Sequence, residues 1–146
     1  MKVDTDEGLR RLIEENGRFV KGLTKRRDLS VRRMALVEAQ FSFAALLACA
    51  DSRVASEYVF DADLGDLFIT RIAGNYLSQD DLATLEYAVH ELGTPLLMVL
   101  GHTSCGAIKG AIDNVELGNL TGLLAKIKPA IKATTFKGEL SSKNGA

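Results

Sequence analysis

Two cysteines and one histidine are the residues of this chain whose types could bind a metal ion together. The chain contains only two cysteines and two histidines, and one of each lies within residues 96–106, LLMVLGHTSCG. The apolar run that opens this segment predicts a strand buried on both faces. His102 and Cys105 follow it with a spacing of three, which would place them on one face of a helical turn. Cys49 ends a second apolar run, residues 43–49.

These side chains suggest a zinc site. Two thiolates and one imidazole suit Zn²⁺, and three protein ligands leave a fourth position open, as a catalytic zinc site requires. Asp51 lies two residues after Cys49 and could fill that position. Arg53 could instead hold Asp51 in a forked ion pair and keep it away from the metal.

Other roles stay open when only residue types are considered. A buried free cysteine most often packs as a small hydrophobic side chain. A structural zinc site or a redox-active dithiol would use the same residue types. The placement of all three side chains at the ends of predicted strands is what favours an open zinc site over these alternatives.

The elements that would position these residues alternate between strands and helices. This alternation predicts an α/β fold with a parallel sheet and right-handed crossovers. Ligands of such sheets bind outside the carboxyl ends of the strands, so Cys49, His102 and Cys105 would meet at one edge. The predicted strands are 43–49, 66–73 and 96–101, and the predicted helices are 7–20, 54–65, 78–93, 104–112 and one around 120–127.

Two helix boundaries have specific sequence signals. Ser78 and Asp81 form a predicted capping box, and Gly93 supplies the left-handed residue that ends the same helix. Pro129 is expected to kink or end the last helix, because it lacks an amide donor.

Length and composition indicate one globular domain. The chain has 146 residues, of which 47% are hydrophobic and 25% are charged. This length and composition predict a single domain over 1–134 and a polar, disordered tail over 135–146. The net charge of −1 and the lack of interleaved aromatic residues in the basic N-terminal region argue against nucleic acid as a partner. No apolar run reaches the length of a membrane span and the N-terminus lacks a signal-peptide core, so we expect a cytoplasmic protein.

Four segments resemble the β-class carbonic anhydrases: CADSRV (49–54), RIAGN (71–75), EYAV (86–89) and GHTSCGAIKGA (101–111). The N-terminal segment LRRLIEENGRFVKG also resembles the first helix of bacterial members. The resemblance extends from about residue 8 to residue 128. It implies zinc-dependent, reversible hydration of carbon dioxide to bicarbonate and a proton.

The resemblance assigns roles to the residues of the predicted zinc site. It implies that Cys49, His102 and Cys105 bind Zn²⁺. It also implies that Asp51 and Arg53 form the catalytic dyad of the family, with Asp51 able to become a fourth ligand in a closed state.

A second set of residues is implied to bind the substrate. Gln40, Phe68 and Tyr87 match positions that line the carbon dioxide pocket, and Gly106 matches a backbone amide near the substrate. The first three would serve the zinc of the neighbouring subunit, across the interface of a homodimer or larger even homo-oligomer. On first principles, Phe68 in a strand and Tyr87 in a helix are instead core positions, and Gln40 is a surface loop residue.

The chain departs from the family pattern at its C-terminus. Family members continue with more helices and a further strand, so the sheet here would have the order 2-1-3 with an exposed apolar edge at strand three. A neighbouring chain could cover this edge, or the sequence is a fragment or was shortened. Two alternatives therefore stay beside carbonic anhydrase activity. One is a non-catalytic, zinc-stabilised subunit or fragment, and the other is a hydrolase of carbonyl sulfide or carbon disulfide.

Overall fold

The structure is a computed structural model that describes residues 3–136, 138 and 141–143. Part of the predicted tail, 135–146, lies outside these residues, so the proposed domain boundary at 134 stays a prediction. The helices are α1 (Thr5–Val20), α2 (Leu29–Ala35), α3 (Ser56–Val59), α4 (Gln79–His90), α5 (Gly106–Ile112) and α6 (Gly118–Ala133), and the strands are β1 (Ala44–Cys49), β2 (Leu67–Ile72) and β3 (Leu97–Leu100). Two 3₁₀ turns, Ser52–Val54 and Ala73–Asn75, follow β1 and β2.

The three strands form one parallel sheet in the predicted order β2-β1-β3. All six residues of the central strand β1 are buried. The α/β class and the strand order predicted from the sequence are therefore confirmed. Among the described helices, none is both long and apolar enough to cross a membrane.

Helices cover both faces of β1. On one face Leu46 packs with Leu12 of α1 and with Phe60. On the other face Ala45 and Leu47 pack against Leu85 of α4. Because side chains of a strand alternate between faces, this six-residue strand contributes to two separate cores.

The predicted burial of β3 on both faces is wrong. Met98 and Leu100 pack against the α1 side of the core, whereas Leu97 is 47% and Val99 59% exposed. The difference arises because α4 packs on β1 and β2 and leaves this face of the edge strand uncovered.

The predicted apolar stripes of two helices are buried only in part. In α1, Leu12 is fully buried, but the other apolar residues of the stripe, Leu9, Ile13, Phe19 and Val20, are exposed. In α4, Leu85 is buried, whereas Leu82 and Val89 are exposed. Spacing alone shows which residues share a helix face, but not how much of that face the rest of the chain covers.

The capping box of α4 is confirmed, and Gly93 has the predicted left-handed backbone, although the helix ends at His90 and Gly93 lies two residues beyond the C-cap Glu91. The Ser78 side chain accepts a hydrogen bond from the Asp81 amide, the Asp81 carboxylate accepts one from the Ser78 amide, and Gly93 has a φ of 63°. The helix predicted over 54–65 is instead a 3₁₀ turn followed by the four-residue α3.

Pro129 does not end the last helix, which continues to Ala133. The proline removes the amide that would bond to the Ala125 carbonyl. Both residues are exposed, so water can bond to that carbonyl at little cost.

A buried carboxylate ties the N-terminal segment to the turn that follows α3. The Asp61 side chain, 1% exposed, accepts hydrogen bonds from Arg18 Nε at 2.6 Å, Arg27 Nη1 at 2.7 Å and the Lys25 amide at 3.1 Å. Burial alone would raise the pKa of Asp61, but the bonds from the two arginines outweigh it and lower this pKa to about 2. Asp61 therefore stays ionised in the folded protein.

Replacing Asp61 with Asn should lower the free energy of unfolding at pH 7 by roughly 3–5 kcal/mol, because both arginines lose a buried counter-charge. Asn tolerates the positive φ of 44° at this position, so the variant isolates the charge. Because the pKa is lower in the folded state, the contribution of Asp61 is complete above its ordinary value of 3.8 and is lost as the pH falls towards 2.

Urea unfolding of both proteins at a series of pH values measures this effect. The exposed Glu14, which lies 3.6 Å from Arg18, gives a matched control, and Glu14→Gln should cost less than about 1 kcal/mol. An Asp61→Asn variant with wild-type stability at pH 7, or a stability difference that does not shrink in acid, would contradict the prediction.

Candidate metal centre

Three parts of the fold bring the two cysteines and His102 together. Cys49 is the last residue of β1, His102 lies in the loop after β3, and Cys105 directly precedes α5. The two Sγ atoms are 3.8 Å apart, and the ligand atoms of all three residues lie within 4.8 Å of one another. Both thiols are buried, and the cluster could hold a metal ion.

The segment between the last two ligands is not the helical turn expected from their spacing. Helix α5 begins only at Gly106, and Ser104 has a left-handed φ of 58°. His102 and Cys105 are therefore brought together by a tight loop, because a helix continued back to residue 102 would be incompatible with this backbone.

The hydrogen bonding of His102 fits a metal ligand. Its Nδ1 lies 2.9 Å from the Thr103 carbonyl, which can only accept, so Nδ1 carries the proton. The buried Nε2 then presents a lone pair that has no hydrogen-bond partner among the described residues. A buried acceptor left in this way is costly, and a metal ion would satisfy it.

The environment of Cys49 favours the thiolate, which is the form that binds metals. The Gly74 amide donates to Cys49 Sγ at 3.3 Å. Burial alone would raise the pKa of this thiol, but the neighbouring Asp51 and Gly74 amides and the His102 and Cys105 side chains outweigh it and lower the pKa to about 7.

Asp51 lies beside the cluster and is held by Arg53. Arg53 Nε and Nη2 donate to the two carboxylate oxygens of Asp51 at 2.9 and 2.7 Å, and the Arg53 amide adds a third bond at 3.0 Å. These bonds hold the pKa of Asp51 well below its usual range. Asp51 Oδ2 is 3.9 Å from His102 Nε2, and Arg53 Nη2 also reaches the Ser104 carbonyl at 3.3 Å.

Only one of the four predicted substrate-binding residues lies next to the cluster. Gly106, the first residue of α5, follows Cys105 directly. Phe68 pairs with Ala45 near the start of β2, four residues or about 13 Å from the end of that strand. The roles of these residues stay predictions.

The other two predicted substrate-binding residues lie on the surface. Tyr87 of α4 is 49% exposed, so its assignment to the core is wrong, and its ring centroid is 6.0 Å from that of Phe68. Gln40 is exposed in the loop before β1, as its reading as a surface residue implied. Within one chain, the structure does not place Gln40, Phe68 or Tyr87 at the metal cluster.

Arg71 contacts the site, although the sequence analysis gave it no role. Its Nε donates to the Cys49 carbonyl at 2.8 Å and its Nη2 to the Asp51 carbonyl at 2.6 Å. The signal available in the sequence was the segment RIAGN, which lies at the end of a strand expected to pair with the strand of Cys49.

Comparison with known proteins identifies the family. A family model described as "Carbonic anhydrase" matches residues 44–145. Carbonic anhydrase 2 of Mycobacterium tuberculosis is 45% identical over 112 residues, which are 76% of this chain and 54% of that protein. The carbonic anhydrase of Mycolicibacterium smegmatis is 38% identical over 126 residues, which are 82% of this chain and 61% of that protein.

A solved structure agrees with these relatives. The Coccomyxa β-carbonic anhydrase in complex with acetazolamide gives a TM-score of 0.68 at 26% identity, covering 92% of this chain and 62% of that chain. This chain thus spans a little over half the length of the curated relatives that it matches. The family match, the relatives and the shared fold show that the chain belongs to the β-class carbonic anhydrases.

Proposed function

We propose that this chain is a zinc-dependent carbonic anhydrase that catalyses the reversible hydration of carbon dioxide to bicarbonate and a proton. The observation that carries the proposal is that the ligand atoms of Cys49, Cys105 and His102 lie within 4.8 Å of one another, with His102 Nε2 lacking a hydrogen-bond partner in the described part of the chain. Membership of a family whose members use zinc supports the choice of metal.

The residues of the cluster would supply three of the four positions of a tetrahedral site. Cys49 and Cys105 would bind as thiolates and His102 through Nε2, a donor set typical of zinc. When bound there, Zn²⁺ supplies the Lewis-acid chemistry that makes a water molecule nucleophilic near neutral pH.

Asp51 would orient the attacking water. Arg53 keeps this carboxylate ionised, and an ionised carboxylate can only accept hydrogen bonds. Asp51 Oδ2 lies 3.9 Å from His102 Nε2, the atom that would bind the metal, so Asp51 would be within reach of a water bound there. By accepting a hydrogen bond from that water, Asp51 would direct a lone pair of the water oxygen towards carbon dioxide.

The Arg53–Asp51 pair favours the open form of the site. For Asp51 to become a fourth ligand, it would have to give up two charge-assisted bonds to the guanidinium and reorient. Arg53 Nη2 also donates to the Ser104 carbonyl, in the loop between the two ligands that follow β3. We therefore propose the open arrangement as the resting state.

A second copy of the chain would complete the substrate pocket. Gln40, Phe68 and Tyr87 lie away from the cluster of their own chain, and Tyr87 borders an apolar groove of about 730 Å³. Leu97 and Val99 of the edge strand β3 line the same groove. This surface supports a homodimer or larger homo-oligomer in which these residues serve a neighbouring zinc site. The cytoplasmic location stays a prediction.

The purified chain should contain one zinc per chain and should hydrate carbon dioxide faster than buffer alone, measured by stopped flow with a pH indicator. Removal of the metal with a chelator should abolish the rate, and added Zn²⁺ should restore it. One zinc per chain without hydration would show a non-catalytic zinc protein. Hydrolysis of carbonyl sulfide or carbon disulfide without hydration of carbon dioxide would instead support the sulfur-analogue alternative.

Replacing Asp51 with Asn should leave the zinc content unchanged and lower kcat/KM by about 10²-fold or more, because an amide cannot serve as the charged acceptor. Asp113→Asn, a change at an exposed carboxylate beyond α5, is the matched control and should keep the wild-type rate. Wild-type kcat/KM in Asp51→Asn would remove this carboxylate from the mechanism.

Replacing Val99 with Lys should shift the protein towards monomers in sedimentation velocity experiments, because the charge lies on the open face of β3. The side chain is already mostly exposed in the single chain, so folding should be little affected. Val31→Lys, on the exposed surface of α2, serves as the control. A wild-type protein that sediments as a monomer would contradict the proposed oligomer.

A further inference from the structure

One arginine from the neighbouring strand holds the backbone of the loop that carries two functional side chains. Arg71 lies in β2, where it pairs in register with Ala48 of β1. Its guanidinium donates to the carbonyl of Cys49 and to the carbonyl of Asp51. We call residues 49–51 the 49–51 loop. It carries the Cys49 thiol, which would bind the metal, and the Asp51 carboxylate, which would orient the water. Arg71 contacts the backbone of this loop at two carbonyls.

The 49–51 loop lies at the end of β1, where the pairing of β1 with its two neighbouring strands ends. The last residue pair of β1 with β2 is Cys49 with Ile72, and the last pair with β3 is Ala48 with Leu100. The Ala50 amide still donates to the Ile72 carbonyl at 3.2 Å, and the chain then enters a 3₁₀ turn. Carbonyls beyond the end of a ladder need other donors, and the Arg71 side chain supplies them here.

A guanidinium is well suited to this task. Its donors lie in a rigid plane at fixed spacing, so two bonds from Nε and Nη2 fix the separation and relative orientation of two carbonyls. A flexible lysine could reach either oxygen but would not impose that geometry. The same end of β2 continues to Gly74, whose amide contacts the Cys49 sulfur.

We propose that Arg71 is a positioning residue of the metal centre, acting through the backbone of the 49–51 loop. It holds Cys49 where its sulfur meets the other two ligand atoms. It also holds Asp51 where both carboxylate oxygens reach Arg53. The inference rests on the proposed function for the identity of the metal, but its test measures metal binding and ligand geometry, not turnover.

The consequence is specific to the site. Without Arg71, the thiol would have to be ordered at the moment of metal binding, which weakens binding. The carboxylate of Asp51 would also lose its fixed distance from the cluster, which changes the surroundings of any bound metal. If Arg71 served only to stabilise the fold, its loss would change neither the metal affinity of the folded protein nor the surroundings of the bound metal.

The chain offers a matched control. Arg32 Nε donates to the Leu64 carbonyl at 2.9 Å, just before β2 and at the opposite end of this strand from the metal cluster. Arg32 Nη2 also donates to Asp66 Oδ1 at 3.2 Å. Arg32→Met and Arg71→Met therefore each remove two hydrogen bonds of an arginine and one positive charge, but only Arg71→Met does so at the 49–51 loop.

The first measurement is zinc affinity of the full chain, determined by competition with a chromophoric chelator. Arg71→Met should bind Zn²⁺ about 10–100-fold more weakly than wild type, the range found when residues supporting metal ligands are lost. Arg71→Lys should fall between the two, because it keeps the charge but loses the planar fork. Arg32→Met should keep the wild-type affinity.

The second measurement is the absorption spectrum of the chain saturated with Co²⁺. Arg71→Met should shift the thiolate-to-cobalt charge-transfer band, whereas Arg32→Met should retain the wild-type spectrum. Wild-type affinity and an unchanged spectrum in Arg71→Met, with only a loss of unfolding free energy, would show a purely structural brace and overturn the proposal.

The design separates this proposal from the proposed function. If Arg71→Met fails to fold, Arg71→Lys decides the question, since wild-type affinity and spectrum in that folded variant would overturn the positioning role. A wild-type chain that binds Zn²⁺ but does not hydrate carbon dioxide would contradict the proposed function and leave the metal-binding test of Arg71 in place. A wild-type chain that binds neither Zn²⁺ nor Co²⁺ would overturn both.

Discussion

The parallel pairing of β1 with β3 is the constraint on which the candidate metal centre depends. Cys49 is separated by more than fifty residues from the other two ligands, and only the shared direction of the two strands brings their carboxyl ends to one edge. The two cores that cover β1 fix this register, because a slip by one residue would turn its side chains to the wrong faces. The chemistry of the site therefore rests on apolar packing some distance away from it.

Local contacts then convert this meeting of strand ends into a defined site. The Thr103 carbonyl selects the tautomer of His102 that leaves Nε2 available, and the Gly74 amide supports charge on the Cys49 sulfur. Arg53 keeps the Asp51 carboxylate ionised but bound. Each of these partners is provided by a loop at the carboxyl edge of the sheet, which is where ligands of parallel sheets bind.

Much of this arrangement could be predicted from residue types and spacing. The alternation of apolar runs with helical segments predicted the parallel sheet. The topology of that sheet in turn predicted that Cys49 lies close to His102 and Cys105. The capping box of α4 was equally accessible, because Ser78 and Asp81 act within one turn. These features depend on local sequence or on a general rule of topology.

The features that could not be predicted depend on what covers a surface or on long-range hydrogen bonds. Val99 has the same apolar character whether or not a helix covers it, so the sequence did not reveal that one face of β3 is open. Tyr87 was misassigned to the core for the same reason. The contacts of Arg71 with two carbonyls depend on the register of the strands and on the length of the side chain. The spacing of the motifs predicts neither the register nor the contacts.

A crystal structure of the zinc-loaded chain would show whether the centre is an open Cys₂His zinc site. We expect one Zn²⁺ bound by Cys49, His102 and Cys105, with sulfur at about 2.3 Å, nitrogen at about 2.0–2.1 Å and a solvent molecule in the fourth position. Asp51 would remain bonded to Arg53. A zinc ion saturated by protein atoms, or a Cys49 sulfur turned away from the His102 loop, would contradict it.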